Sequence, residues 1–208
     1  MGRLNRLAAA HLYVITPDVE PDRVLEIAGA AIRGGADIIQ LRHKTLARGE
    51  LLTLARRLRA LVTGVLLIVN DHVDIALLSG ADGVHLGLDD LSIPSARRVA
   101  GERLLIGASA STPAAAMAAV AGGADYIGCG ATFATPIKSD KKVIGPEGVA
   151  AVTAALPATP VFAIGGIDES NVPLLRAAGL SRACVIRAVG DALDPEEATR
   201  RLSAMLKG

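Results

Sequence analysis

The chain alternates short apolar runs with helical segments eight times, and this repeat limits its fold more than any other feature. The runs are rich in Val, Ile and Leu and occupy residues 12–16, 37–42, 66–70, 83–86, 104–109, 126–130, 161–166 and 184–188. The segments between them are rich in Ala, Leu and Arg, and several begin at Asp, Ser, Thr or Pro and end in Gly, as helices do. The repeat therefore predicts eight strands that alternate with helices.

Strands that are separated by helices run parallel, and eight such units are typical of a (β/α)8 barrel, the TIM barrel. That fold commonly takes about 250 residues and at the low end about 200, so the 208 residues of this chain leave room mostly for short loops. We predict an α/β chain with a single TIM-barrel domain over residues 1–208, in which 1–10 are a short amino-terminal extension. An open doubly wound sheet is the alternative that the same alternation permits.

The composition narrows the class of function. Aromatic residues make up 2% of the chain, so the core must be built from Ala, Val, Leu and Ile, which suits buried parallel strands. A formal net charge of +1 offers no general attraction to nucleic acid or to an anionic membrane, and no run is long and apolar enough to span a bilayer. Cys129 and Cys184 lie in apolar runs and form neither a disulfide framework nor a zinc site, which predicts a cytoplasmic protein with buried thiols.

Polar side chains follow the second run in an ordered way. In a strand, Ile38, Gln40, Arg42 and Lys44 share one face, whereas Ile39 and the other odd-numbered residues share the opposite one. In a parallel barrel one face of each strand meets the helices and the other points inward, becoming accessible near the carboxyl end. We therefore expect Gln40, Arg42 and Lys44 to line the interior and its mouth. A solvated edge strand is the alternative.

Two carboxylates come at the ends of neighbouring strands. Asp71 follows Asn70 after the third run, and Asp90 follows the fourth, which contains His85. Asn70 or Asp71 alone could cap a helix, and a lone His85 could be a packed core residue. Together, Asp71 and Asp90 can share Mg²⁺, which prefers oxygen ligands and keeps waters and substrate phosphates. The cations one strand away can hold those phosphates.

Further groups that suit an anion follow later strands. Ser109 closes the fifth run, and the polar loop after the sixth carries Thr132, Thr135 and Lys138. Gly166 ends the seventh run, and barrels often bind phosphate after that strand through free backbone N–H groups. A Gly-Gly turn is weak evidence alone, because any tight turn can use one.

These segments in this order resemble the thiamine phosphate synthase family. The similar pieces are "LYVIT", "IIQLRHK", "IVNDHVDIALLSGADGVHLG", "IGAS", "GGADYIGCGATFATPIKSD", "FAIGGI" and "CVIRA", and they span nearly the whole chain. The resemblance implies a (β/α)8 barrel that joins a hydroxymethylpyrimidine diphosphate to a thiazole phosphate, releases pyrophosphate and forms thiamine monophosphate. It also implies Mg²⁺ as cofactor, two small phosphorylated molecules as partners and a homodimer.

The resemblance also assigns roles to individual residues. It implies Mg²⁺ ligands at Asp71 and Asp90, and catalytic cations that neutralise the leaving group at Arg42, Lys44 and Lys138. The implied substrate-binding residues are Gln40, Arg42, Lys44, Asn70, Ser109, Thr135, Lys138, Gly166 and Arg187. The first four of these contact the pyrimidine and its diphosphate, and Ser109, Thr135 and Lys138 complete the diphosphate site. The backbone around Gly166 and the loop after the eighth run take the thiazole phosphate, where Arg187 either adds a charge or signals a shifted substrate.

Four positions depart from the family pattern. Leu88 stands where the family usually has Gln, Ala110 where a His is common, Ile137 where a Thr binds phosphate and Arg187 where Ser is typical. Two alternatives follow. One is a thiazole tautomerase-like relative, against which the retained cations and carboxylates argue. The other is a barrel without turnover that only binds thiamine precursors, an alternative that Ile137 motivates.

Overall fold

A computed structural model describes residues 2–135 and 142–208. Eight parallel strands form a closed barrel in chain order, and β8 pairs with β1 through Leu12 and Ala183. Closure confirms the TIM barrel and excludes the open sheet. The strands are β1 (Leu12–Ile15), β2 (Ile38–Leu41), β3 (Leu66–Asn70), β4 (Gly83–Leu86), β5 (Leu105–Ala110), β6 (Tyr126–Cys129), β7 (Val161–Ile164) and β8 (Ala183–Val185).

Helices follow each strand and cover the barrel. Their bounds are α1 (Arg3–Ala9), α2 (Pro21–Arg33), α3 (Arg48–Leu61), α4 (Val73–Ser79), α5 (Ile93–Ala100), α6 (Pro113–Ala121), α7 (Gly145–Ala155), α8 (Val172–Ala177), α9 (Arg187–Gly190) and α10 (Pro195–Lys207). A 3₁₀ turn over Gly101–Arg103 precedes β5. Within the described residues, no helix combines the length and the apolarity that crossing a bilayer requires.

The core has two layers, as the alternation along the strands predicts. Ile39 and Leu41 pack outward against the helices, in a layer that also holds Leu54 of α3. Ile38 points inward and packs with the aromatic rings that fill the barrel, such as Phe162. The two faces of one strand thus serve two different cores.

Helix α1 closes the amino-terminal end of the barrel. Leu7, within the predicted amino-terminal extension over residues 1–10, is fully buried and packs into the interior cluster. Arg6 donates to the Val65 carbonyl at 3.2 Å and to the Asp82 carboxylate at 3.1 Å. These contacts tie the helix to the strands that it covers.

Several predicted strand limits were wrong, and three of them bear on the predicted site residues. β2 ends at Leu41, so Arg42 belongs to the following loop. β7 ends at Ile164 because Gly165 and Gly166 adopt positive φ angles of 104° and 65° and turn the chain. β8 ends at Val185, since Ile186 already has helical backbone angles and Arg187 begins α9.

Both cysteines are buried, as predicted. Burial raises the pKa of the Cys129 thiol to about 11 and also raises that of Cys184. Because the thiolate is the reactive form, we expect neither thiol to react with a thiol reagent near pH 8 until the protein unfolds. The rate of reagent consumption with and without urea measures this. Fast reaction in native buffer would contradict it.

Candidate active site

Polar side chains meet at the carboxyl end of β3 and β4. Asn70 ends β3 and pairs in register with His85 of β4. Asp71 comes next, and its backbone N–H donates to the His85 carbonyl at 2.8 Å. Asp71 is the only residue other than glycine, among those described, with a positive φ, 63°. This left-handed turn ends the strand at the rim.

A cation and two carboxylates lie together there. Lys44 donates through Nζ to Asp71, and the Asp71 and Asp90 carboxyl groups are close enough to shift each other's pKa. The Gly87 N–H fixes Asp90 from the other side at 2.7 Å. The structure therefore brings together three of the predicted site residues.

The electrostatics of this pair suit a divalent cation. Burial and the neighbouring Asp71 raise the pKa of Asp90, whereas for Asp71 the bonds from Lys44 and Asp90 outweigh burial and lower the pKa. Two close carboxylates repel each other when both are charged, so a bound cation would stabilise the pair. Over the described residues no cluster of three or more His, Cys, Asp or Glu side chains is arranged to hold a metal. Two carboxylates suit Mg²⁺, which fills its other positions with water and phosphate.

Arg42 is held by a residue that the sequence analysis did not select. Its guanidinium donates to Asp18 at 2.6 Å, and its backbone N–H donates to Thr16 Oγ1 at 3.1 Å. The Lys44 backbone N–H donates to the same Asp18 carboxylate. The expectation that Arg42 and Lys44 continue the strand was wrong, because these contacts draw the loop toward β1. The Lys44 side chain remains 51% exposed at the rim.

A second set of polar groups lies below the rim, inside the barrel. Gln40 Nε2 donates to the Tyr13 hydroxyl at 2.5 Å, and the hydroxyls of Tyr13 and Tyr126 are 3.0 Å apart. His85 Nδ1 lies 3.3 Å from the Tyr126 hydroxyl, and its Nε2 lies 3.0 Å from Ser109 Oγ. The inward orientation of Gln40 was expected. The two tyrosines were not selected from the sequence.

The last two strands end in groups suited to an anion. A side chain at Gly166 would place its Cβ 2.4 Å from the Ala134 carbonyl oxygen, so only glycine fits there. Asn171 Nδ2 donates to the Gly166 carbonyl at 2.8 Å and fixes the turn. Arg187 lies after β8 but pairs with Asp191 at 2.9 Å and is 56% exposed.

The loop after β6 carries the remaining candidates. Thr132 is buried and donates to the Ile164 carbonyl at 3.0 Å, so its hydroxyl supports the backbone rather than a ligand. Thr135 is half-buried. Lys138 and Ile137 lie outside the described residues. Among the other departures, Leu88 is 77% exposed and Ala110 is the last residue of β5.

Comparisons with known proteins point in one direction. The family model described as "Thiamine monophosphate synthase" matches residues 12–189. A thiamine-phosphate synthase of Anaeromyxobacter dehalogenans is 48% identical over 207 residues, which cover 98% of this chain and 90% of that protein. That of Gloeobacter violaceus is 47% identical over 197 residues, 94% of this chain. The chain spans 57% of the length of the Gloeobacter protein and also 57% of a Thermosynechococcus vestitus relative.

Solved structures resemble the whole barrel. A thiamine phosphate pyrophosphorylase from Pyrococcus furiosus is 36% identical with a TM-score of 0.89, and the match covers 99% of this chain and 98% of that one. A 3-hexulose-6-phosphate synthase reaches a TM-score of 0.77 at 21% identity, covering 94% of this chain and 99% of that one. The second likeness shows the fold alone.

Proposed function

Because the chain belongs to the thiamine monophosphate synthase family, we propose that it is a transferase that joins hydroxymethylpyrimidine diphosphate to a thiazole phosphate. The products are thiamine monophosphate and pyrophosphate. The observation that carries this proposal is the set formed by Lys44, Asp71 and Asp90, a cation beside two coupled carboxylates at the mouth of the barrel. Such a set suits a magnesium diphosphate better than an uncharged substrate.

The metal would bind between Asp71 and Asp90, two neighbouring carboxylates, where Asp71 raises the pKa of Asp90. When bound, Mg²⁺ supplies positive charge to the diphosphate oxygens. The protein adds Arg42 as a planar donor, anchored by Asp18, and Lys44 as a point charge. Asn70 and Gln40 complete the side of the site that faces the pyrimidine.

The reaction requires neutralisation of the negative charge on the leaving pyrophosphate more than it requires an acid or a base. The bond between the pyrimidine methylene carbon and the diphosphate oxygen breaks, and its electron pair leaves with pyrophosphate. The thiazole nitrogen then forms a bond to that carbon. We assign the stabilisation of the leaving group to Arg42, Lys44, Ser109 and Thr135, and the resemblance adds Lys138; donors aimed at developing negative charge stabilise a transition state.

The thiazole phosphate is assigned to the ends of β7 and β8. The tight turn at Gly166 keeps side chains away from a backbone that can approach a phosphate closely. Arg187 takes part if it exchanges its exposed partner Asp191 for the ligand, which is feasible because an exposed ion pair contributes only about 0–1 kcal/mol.

One assay tests the proposal against its alternatives. The protein is incubated with both phosphorylated substrates, with and without Mg²⁺, and pyrophosphate and thiamine monophosphate are measured. Formation of both products only with the metal supports the synthase. Absence of product under every condition refutes it, and isomerisation of the thiazole without pyrophosphate release would favour the tautomerase-like alternative.

Asp18→Asn should raise the KM for the pyrimidine diphosphate by about tenfold, the effect of losing one charge-assisted hydrogen bond. The asparagine keeps the size of Asp18 but no longer holds the Arg42 guanidinium by charge. Steady-state kinetics measure the change. As a matched control, Glu26→Gln removes an exposed ion pair with Arg23 and should leave KM unchanged. An unchanged KM in Asp18→Asn would contradict the anchoring role.

The family resemblance also supports proposals about the molecule as a whole. We propose that residues 1–208 fold as one domain, that two copies form a homodimer and that the protein is cytoplasmic. A single cooperative unfolding transition tests the first. Sedimentation equilibrium tests the second, and a monomer at micromolar concentration would refute it.

A further inference from the structure

A hydrogen-bonded chain crosses the barrel interior directly beneath the rim. It joins side chains from five different strands, in the order Gln40, Tyr13, Tyr126, His85 and Ser109. Both tyrosines are buried among the aromatic rings of the interior cluster. The chain therefore links a residue assigned to the pyrimidine with a residue assigned to the diphosphate.

The first half of the chain has a defined direction. An amide nitrogen can only donate, so the Tyr13 oxygen accepts from Gln40 and keeps its own proton for Tyr126. Burial raises the pKa of both phenols, so both hydroxyls keep their protons. The Tyr126 oxygen is then the acceptor within reach of the Tyr13 proton.

The second half follows from the first. Because Tyr126 accepts from Tyr13, its own proton is available for His85 Nδ1. A neutral imidazole whose Nδ1 accepts carries its proton on Nε2. That proton faces Ser109 Oγ at 3.0 Å. The Ser109 oxygen is then an acceptor toward His85, and its hydroxyl proton is left to donate elsewhere.

The barrel leaves space for the contact between Tyr126 and His85. A Cβ on Gly107 would lie 2.1 Å from Tyr126 Cζ and 2.6 Å from His85 Nδ1, and one on Gly128 would lie 3.0 Å from His85 Cε1. Glycines on β5 and β6 thus allow the two rings to approach, with centroids 5.6 Å apart. Besides the distance of 3.3 Å between Tyr126 and His85, this requirement for glycine is a second observation that supports their contact.

We infer that Tyr126 is a positioning residue, which holds His85 as the Nε2–H tautomer so that Ser109 donates its hydroxyl proton toward the diphosphate. The inference rests on the proposed function for the identity of the anion. It adds to that function a group that never touches the substrate. Tyr126 acts through His85 and Ser109, and Tyr13 and Gln40 fix the direction of its bond.

The tautomer is measured on the unaltered protein without substrate. A long-range ¹H–¹⁵N spectrum distinguishes a protonated ring nitrogen from an unprotonated one, and the His85 signals are those that disappear in His85→Gln. We expect His85 to carry its proton on Nε2. A proton on Nδ1 would overturn the inference, whatever the variants do.

Tyr126→Phe removes the hydroxyl and keeps the ring. We expect its His85 spectrum to show a mixture of tautomers. We also expect kcat to fall by about tenfold with little change in KM for the thiazole phosphate, the size of effect that one lost hydrogen bond gives in a transition state. A folded Tyr126→Phe protein with the original tautomer and the original kcat would contradict the positioning role.

Phe162→Leu is the matched control. Phe162 contacts both tyrosine rings edge-on, at centroid distances of 5.6 Å and 5.9 Å, but makes no hydrogen bond in the chain. The Phe162→Leu substitution should loosen the same cluster and leave the His85 tautomer unchanged. A changed tautomer in this variant would show that ring packing, and not the Tyr126 hydroxyl, sets the tautomer. Failure of the unaltered protein to form product would count against the proposed function only, since the tautomer is measured separately.

Discussion

Asp71→Asn is expected to lower turnover by about 10²–10³-fold, as loss of one preorganised electrostatic partner does. The amide keeps the size of the side chain but removes the charge that faces Lys44 and Asp90. Asn adopts left-handed backbone angles as Asp does, so the turn at φ 63° should survive. Steady-state kinetics at saturating Mg²⁺ and substrates measure the loss, and circular dichroism measures the fold.

The control lies three residues further along the chain. Asp74→Asn removes a carboxylate that pairs with Arg48 on the exposed side of α4 and should leave turnover within twofold, about the scatter expected of a surface change. Titration with Mn²⁺ in the presence of pyrophosphate measures metal binding separately from activity. The affinity for Mn²⁺ should fall in Asp71→Asn and should equal that of the unaltered protein in Asp74→Asn. Near-normal turnover in Asp71→Asn would remove the metal role.

Asp82→Ala is expected to lower the free energy of unfolding by about 3–5 kcal/mol, as breaking a buried charged network does. The Asp82 side chain is 9% exposed, and it accepts from Arg6 at 3.1 Å, Arg59 at 2.8 Å and the Leu67 N–H at 3.0 Å. Alanine would leave these donors without an acceptor and would release α1 from the end of the barrel. Urea unfolding measures the change.

Asp22→Ala provides the comparison for that experiment. Its ion pair with Arg57 is exposed, so its removal should change the free energy of unfolding by no more than about 0.5 kcal/mol. Equal losses of unfolding free energy in Asp82→Ala and Asp22→Ala would show that the buried ion pairs of Asp82 do not stabilise the protein. Because Asp82 lies at the opposite end of the barrel from Asp71, its variant should keep normal kcat wherever it remains folded.

The sequence predicted the barrel and the two faces of its strands because periodicity is a local property. Ile39 and Leu41 had to face helices, and Asp71 and Asp90 had to follow strands that end at the same rim. Asp18 was missed because it reaches Arg42 across 24 residues, through a loop that has no period. The bond between Tyr13 and Tyr126 spans 113 residues and exists only because the barrel closes.

Helix α1 was missed for a related reason. Its seven residues include Arg3 and Arg6 and resemble a solvated tail, with Leu7 as the one buried residue, and its other anchors are the bonds from Arg6 to Val65 and Asp82. β2 stops earlier than predicted because Thr16 and Asp18, which follow β1, accept from the backbone N–H groups of Arg42 and Lys44. Contacts distant in the sequence thus account for what the pattern did not predict.

The left-handed backbone at Asp71 creates a conflict between stability and activity at one position. A side chain there costs about 1–2 kcal/mol relative to glycine, a penalty reduced for Asp. A library of variants screened only for heat resistance should therefore accumulate glycine at this position, and each such clone should be more stable but should turn over as slowly as Asp71→Asn.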